Sequence, residues 1–161
     1  DTSDYKEVTF EGYGPYGIAI FVECATDNNT RTVANIRMYF NRNGGNLGTS
    51  GSVEFLFERK CHFKIDKAEH DVDELELELI DYGIEEIFVE DEHIMIYGDF
   101  TEFGNIQKGL DTMGIEVVES GYERIPMNTT ELNEEQTEEI EKLIERFEDD
   151  EDVQNVYHSM A

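Results

Sequence analysis

The sequence has no tryptophan, two prolines, two cysteines and few bases: 12 Lys and Arg stand against 39 Asp and Glu, for a net charge of −27. Each shortage excludes something. Two isolated cysteines do not make the disulfide framework of a small secreted protein. Cys24 falls inside the apolar run Ile18-Ala19-Ile20-Phe21-Val22-Glu23-Cys24, where it reads as a small hydrophobe. A reducing, cytoplasmic setting fits that usage. No run approaches the ~18 consecutive apolar residues of a membrane-spanning helix, and no signal peptide is visible, so no membrane partner is expected. Scarce Lys and Arg also exclude a broad phosphate-neutralising surface.

Catalytic and metal signatures are equally thin. His62, His70, His93 and His158 form no H-x-x-x-H pair, and Cys-x-x-Cys, Cys-x-x-His and G-x-S-x-G are absent. The acidic run Glu148-Asp149-Asp150-Glu151-Asp152 lacks the alternating ligands and glycine of an EF-hand and reads as a solvated helix end. Carboxylates are too numerous for any pair to stand out as acid and base. Gly12-Tyr13-Gly14-Pro15-Tyr16-Gly17 spells G-x-G-x-x-G, but an apolar strand follows it where a dinucleotide site requires a helix, and Pro15 removes a backbone donor. It reads as a tight loop. No cofactor, small-molecule substrate or catalytic residue is expected.

What is present describes a folded chain. Apolar residues make up 39% of the 161, with 8 Tyr and 10 Phe, which a disordered acidic segment would lack. The charge is unevenly spread: residues 1–60 hold 8 acids and 6 bases, 61–124 hold 19 and 4, and 125–161 hold 12 and 2. Any polyanion would therefore meet the first third.

Pattern places strands at 5–10, 18–24, 52–58, 61–66, 85–91, 93–99 and 153–158, with another in EVVESGYERIP. A helix over 31–41, capped from the Asp27-Asn28-Asn29-Thr30 stretch and stopped by Asn43-Gly44-Gly45, buries Val33, Ile36 and Phe40. The stretch Glu74–Ile80 alternates like a strand, yet Asp71 with Glu74 before it and Gly83 after it predict a helix. Further helices bury Phe103, Ile106, Leu110 and Met113, and Ile140, Leu143, Ile144 and Phe147, the latter capped by Asn133 with Gln136. Leu79-x-x-Tyr82-Gly83-Ile84-Glu85 echoes Leu110-x-x-Met113-Gly114-Ile115-Glu116, each a helix end, a glycine and a strand. The expected fold is α+β: two ferredoxin-like βαββαβ units, residues 61–124 forming an acidic unit inserted into a split first unit of 1–60 plus 125–161.

The candidate binding surface is the first helix and its flanks. Arg31, Asn35, Met38 and Arg42 share one helical face, opposite the apolar stripe, and Asn43, Gly44, Gly45 and Asn46 extend it with amides and backbone N–H groups. Tyr13, Gly14 and Pro15 of the glycine loop complete the candidate set. Such a mix suits phosphate and sugar contacts. The same residues equally describe a solvated helix face beside a flexible loop, with two arginines as a small electrostatic footprint.

The strings EGYGPYGIAIFVECATDNNTRTVANIRMYFNRNGGNLGTSGSV (11–53) and FEDDEDVQNVYH (147–158) resemble the YebC/PmpR family, which includes the mitochondrial translational activator of cytochrome oxidase. Tyr16 stands where that pattern usually has glycine, and Ser159 where asparagine is common. The resemblance implies a regulator of gene expression without enzymatic activity, a DNA-binding transcriptional regulator by the family's usual label. It also implies a basic helical domain ahead of this region, in keeping with an opening at Asp1-Thr2-Ser3 without methionine. Some members look like ribosome-associated translation factors, so the expected partner is DNA or ribosomal RNA, with the ribosome or polymerase as the larger target. The insert's charge and the missing Arg-, Gln- and Asn-rich recognition helix favour ribosome or RNA contact on physical grounds. An acidic module that binds basic proteins is the third reading.

Overall fold

The computed structural model describes residues 4–161; the opening Asp1-Thr2-Ser3 lies outside them. The chain divides into two compact units, one comprising the residues up to Glu58 together with Ile125–Ala161, the other Arg59–Arg124. Each carries a four-stranded antiparallel sheet with two helices, so the fold is α+β with two ferredoxin-like units.

The first unit contains β1 (Lys6–Tyr13), β2 (Ala19–Thr26), α1 (Asn29–Arg42), a two-residue β3 (Asn46–Leu47), and, after the second unit, α4 (Glu134–Glu148) and β8 (Val153–His158). Its sheet runs β3-β1-β2-β8. β2 is buried on both faces, which explains its unbroken apolar run. Ile20, Val22 and Cys24 point to one face and meet Ile36 and Phe40 of α1 and Ile140, Leu143 and Phe147 of α4. Ala19 and Phe21 point to the other and meet Val53 and Phe57. Phe40 packs edge-on against Phe147 with ring centroids 5.0 Å apart. α1 begins where Asn28 accepts a hydrogen bond from the Arg31 N–H, and α4 begins with the reciprocal Asn133–Gln136 box.

The second unit follows the βαββαβ order. β4 (Phe57–Asp66), α2 (Val72–Leu79), β5 (Ile84–Glu90), β6 (His93–Asp99), α3 (Phe103–Thr112) and β7 (Val117–Pro126) build a sheet ordered β5-β6-β4-β7. Cys61, Phe63, Ile65, Ile94 and Ile96 face Leu75, Leu79, Ile106 and Leu110. The alternating Glu74–Ile80 stretch is helical, because Asp71 caps the N–H groups of Asp73 and Glu74 and Leu75 and Leu79 are the residues it buries. Gly83 (φ 93°) and Gly114 (φ 70°) end the two helical segments in the left-handed region, which accounts for the repeated Gly-Ile-Glu string.

Two sequence expectations are corrected. The predicted strand over 52–58 is a turn and a short 3₁₀ segment (Glu54–Leu56), and strand geometry starts at Phe57 and continues unbroken through the 61–66 stretch. Buried Glu11 imposes this: its carboxylate accepts hydrogen bonds from the N–H groups of Gly51 (2.6 Å), Val53 (3.0 Å) and Glu54 (2.6 Å), which a ladder partner would otherwise take. In consequence the first unit takes its strands as β1, β2, the short β3 and β8. Between Pro126 and α4 the chain makes a parallel bridge from Thr130 to Met160. The buried stripe of α1 is Thr32, Ile36 and Phe40, with Val33 half-buried. Thr32 takes the inner position because its hydroxyl bonds the Thr26 hydroxyl (2.7 Å) and donates to Asp152 (2.9 Å).

Candidate nucleic-acid interface

The candidate surface divides into two ends of α1. At the C-terminal end, two glycine-containing loops lie in direct contact. Tyr13 pairs with Asn46 and Gly12 with Leu47 in the β1–β3 ladder. A Cβ on Gly45 would stand 2.3 Å from the Tyr13 carbonyl oxygen, and one on Gly12 2.4 Å from the Asn46 carbonyl oxygen, so only glycine permits the approach. Gly44 (φ 77°) turns the chain out of α1, where the N–H groups of Asn43 and Gly45 both donate to the Phe40 carbonyl. The structure thus brings Tyr13, Gly14 and Pro15 together with Asn43, Gly44, Gly45 and Asn46. Tyr13, Gly44 and Asn46 are exposed, while Gly14 and Gly45 are buried and act as spacers between the loops.

Arg42 occupies the last turn of α1, beside these loops, and is exposed. It shares a hollow of about 170 Å³ with Met38, Tyr39, Asn43 and Arg146. Among the described residues neither Arg42 nor Arg146 enters an ion pair. Arg146 was not legible as a site residue: it lies on α4, a helix of mostly acidic side chains, and only the Lys142–Arg146 pair one turn apart hints at a local exception.

The other end of α1 is different in kind. Arg31 and Asn35 line a separate hollow of about 470 Å³ with Tyr5, Asp27, Asp150, Glu151 and Asp152. The Arg31 guanidinium donates through Nη2 to Asp152 Oδ1 (3.0 Å) and to Asp27 Oδ1 (3.2 Å), and through Nε to Asp152 Oδ2 (3.3 Å). The hydrogen bond to Asp152 leads the causes that raise the Arg31 pKa further. This cation is satisfied internally, so Arg31 and Asn35 do not join the loop cluster although helical periodicity puts them on the face of Arg42. Nearby, Tyr39 donates its hydroxyl to Asp150 Oδ2 (2.7 Å), and burial together with that carboxylate pushes its pKa up to about 12.

Tyr16, in the left-handed region at φ 65°, turns its hydroxyl to Glu139 of α4. Its hollow is lined by Glu135, Glu138, Glu139 and Lys142, which sets an acidic margin to the glycine loop. Cys24 and Cys61 are buried, with thiol pKa values raised by burial, that of Cys24 to about 12, so neither is an activated nucleophile. Among the described residues no group of three or more His, Cys, Asp and Glu could hold a metal ion, and no helix is long and apolar enough to cross a membrane.

Paired ferredoxin-like units with an exposed loop-and-arginine end define a class of non-membrane-helical α+β protein that offers a surface. Residues 5–160 match the family model described as TACO1/YebC second and third domain, and the chain belongs to that family. It is 61% identical over 161 residues to a probable transcriptional regulatory protein of Porphyromonas gingivalis, covering 99% of this chain and 66% of that protein. It is 62% identical to one of the same description from Cytophaga hutchinsonii, covering 100% of this chain and 68% of the relative. The chain therefore spans about two thirds of the length of the curated relatives it matches. The crystal structure of a conserved hypothetical protein from Aquifex aeolicus superposes with a TM-score of 0.83 at 33% identity, over 98% of this chain and 65% of that one.

Proposed function

We propose that the chain is part of a non-enzymatic, cytoplasmic regulator of gene expression that binds DNA, and that the end of α1 carrying Arg42 is its contribution to the nucleic-acid contact. The supporting observation is the pairing of Arg42 with Arg146 across one hollow, both outside any ion pair among the described residues. The reading also draws on the family's description as probable transcriptional regulatory proteins. Two guanidiniums beside exposed Gly44 and Asn46 can hold phosphate oxygens while the loop backbone approaches closely. The surface positions a nucleic-acid backbone and reads no bases, so sequence selection falls to the rest of the full-length protein.

The test is a salt titration of promoter-DNA binding by the full-length protein, with Arg42→Glu and Arg146→Glu. Each reversal is expected to weaken binding at least tenfold and to reduce the dependence of log K on log salt by about one phosphate contact. Unchanged affinity and slope in both variants would sink the interface. Cosedimentation with ribosomes in place of retention on DNA, lost in the same variants, would keep the surface and replace DNA by ribosomal RNA.

A further inference from the structure

In the second unit, a column of planar groups runs from the core to the surface. Fully buried Phe63 packs on Phe103 with centroids 4.8 Å apart, and Phe103 on Tyr122 at 5.1 Å. The Arg59 guanidinium carbon then lies 5.2 Å from the Tyr122 ring centroid and 4.8 Å from that of Phe100, bridging the two rings. Phe100 is 38% exposed although Arg59 lies against it, and Tyr122 is 45% exposed although both Phe103 and Arg59 lie against it. Arg59 itself is exposed.

The electrostatic setting makes this Arg unusual. Residues 61–124 hold 19 acids and 4 bases. The adjacent Lys60 is spent on Glu85, at 2.7 Å. Arg59 makes no ion pair among the described residues and takes aromatic faces as its neighbours instead. The carboxylates that flank Phe100 are turned to their own loop: Asp99 accepts the Thr101 N–H (3.0 Å), and Glu102 accepts from Asn105 (2.7 Å). The Asp99 carboxyl is held below its usual range by the Thr101 hydroxyl and N–H. An exposed guanidinium set against aromatic rings can still offer N–H groups to a ligand.

The geometry points to Phe100, held by Arg59 and backed by Tyr122, as a stacking site for an unpaired nucleobase, with Arg59 N–H groups contacting the adjoining phosphate. A duplex base has no free face and would bring a dense phosphate array against the acidic unit. A flipped or single-stranded base brings one π-face and one or two phosphates, which is what one ring column and one cation accommodate. An acidic peptide would meet the same cation with no stacking contribution. The site extends the nucleic-acid reading above to a second surface on the other unit, and it depends on none of the Arg42 residues.

The experiment is photo-cross-linking of the intact chain to a short single-stranded RNA carrying photoactivatable thiouridine, read by peptide mass spectrometry, beside fluorescence anisotropy at low salt. Cross-links are expected on Phe100 or Tyr122 and not with the matching duplex. Phe100→Ala and Arg59→Ala are expected to weaken single-strand binding about tenfold, with Phe100→Tyr retaining it. Arg42→Glu should leave the Phe100 and Tyr122 cross-links in place, so failure of the first interface and failure of this site are distinguishable. Absence of binding, cross-links confined to other residues, equal affinity for an abasic strand, or unchanged affinity in Phe100→Ala would each overturn the assignment.

Discussion

Glu11 Oε1 accepts the backbone N–H of Val53 at 3.0 Å, across 42 residues of sequence, and this bond sits at the centre of a three-donor cradle with Gly51 and Glu54. The cradle fixes the turn that lays Val53 over Phe21 on the second face of β2. Glu11→Ala would leave three N–H groups without their acceptor, one of them buried. The expected loss is about 3 kcal/mol, and Glu11→Gln, which keeps one acceptor oxygen, should lose about half of that. Urea unfolding of both variants checks it; a loss under about 1 kcal/mol in Glu11→Ala would show that the loop holds without the carboxylate.

Arg31 and Asp152 make the corresponding tie at the other end of the unit. The Asp152 side chain is 10% exposed and that of Arg31 46%, so the two deletions are unequal. Arg31→Ala should cost the less of the two, because solvent screens its exposed side. Asp152→Ala removes the partner of Arg31 and one acceptor of the Thr32 hydroxyl, and should cost about 2–3 kcal/mol. Neither substitution should alter nucleic-acid affinity of the full-length protein by more than about twofold. Thermal denaturation beside a DNA titration separates the outcomes, and a tenfold affinity loss in Arg31→Ala would return that residue to the interface.

Local pattern made most of this fold legible. The caps at Asn28, Asp71 and Asn133, the glycine stops at Gly83 and Gly114, and the core stripes of α3 and α4 all follow from residues within one helical turn of each other. What failed was decided at long range. The 52–58 stretch alternates like a strand, and only Glu11, far away in sequence, removes its donors. Arg31 and Arg42 share a helical face, and only Asp152, 121 residues after Arg31, shows that one of them is neutralised. Arg146 was hidden by its acidic neighbours. Side-chain partners across the insertion carry no signal in periodicity, since two residues brought together by folding leave no spacing to read.

Gly45 offers a test of the loop apposition. Gly45→Ala would place a methyl group 2.3 Å from the Tyr13 carbonyl oxygen, so the two loops must part. The backbone on both sides belongs to the β1–β3 pairing, which leaves little room to yield. The variant should lose about 2 kcal/mol and bind DNA less well in the full-length protein. Gly44→Ala meets Pro15 Cβ at an ordinary 3.6 Å but forces a non-glycine residue to φ 77°, and should cost about 1 kcal/mol. If Gly45→Ala proves the milder of the two, close approach is not what the glycine serves.

His158 gives the molecule a pH dependence of definite sign. It lies on β8 opposite Ile20, and its Nδ1 accepts the Met160 N–H at 3.2 Å, which only an unprotonated Nδ1 can do. Burial lowers its pKa from the ordinary 6.5. The unfolded chain therefore takes up a proton first as pH falls, and stability is fully present above pH 6.5 and declines below it. Glu123 adds a second decline further down: His62, whose Nδ1 lies 2.7 Å from the carboxylate, holds its pKa below 4.5, so its contribution is present above that value and fades beneath it. Urea midpoints at pH 7.5 and 5.5 should differ in the parent protein, and the difference should shrink in His158→Gln. An equal difference in both would assign that slope to other groups.

Charge sets the last expectation. Residues 1–161 carry −27, and the two cations of the proposed interface lie on a unit whose returning segment, 125–161, holds 12 acids against 2 bases. Two phosphate contacts release few counterions, while repulsion from the remaining acids is long-ranged at low salt and screened as salt rises. Residues 1–161 alone should therefore bind duplex DNA with an affinity weaker than roughly 10⁻⁴ M at physiological salt, and with a shallow or inverted salt dependence. Gel retardation across a salt series decides it. Tight, salt-resistant retention of duplex DNA by this chain would mean that its acidic faces are turned from the ligand far more completely than a −27 chain with two free guanidiniums at one end allows.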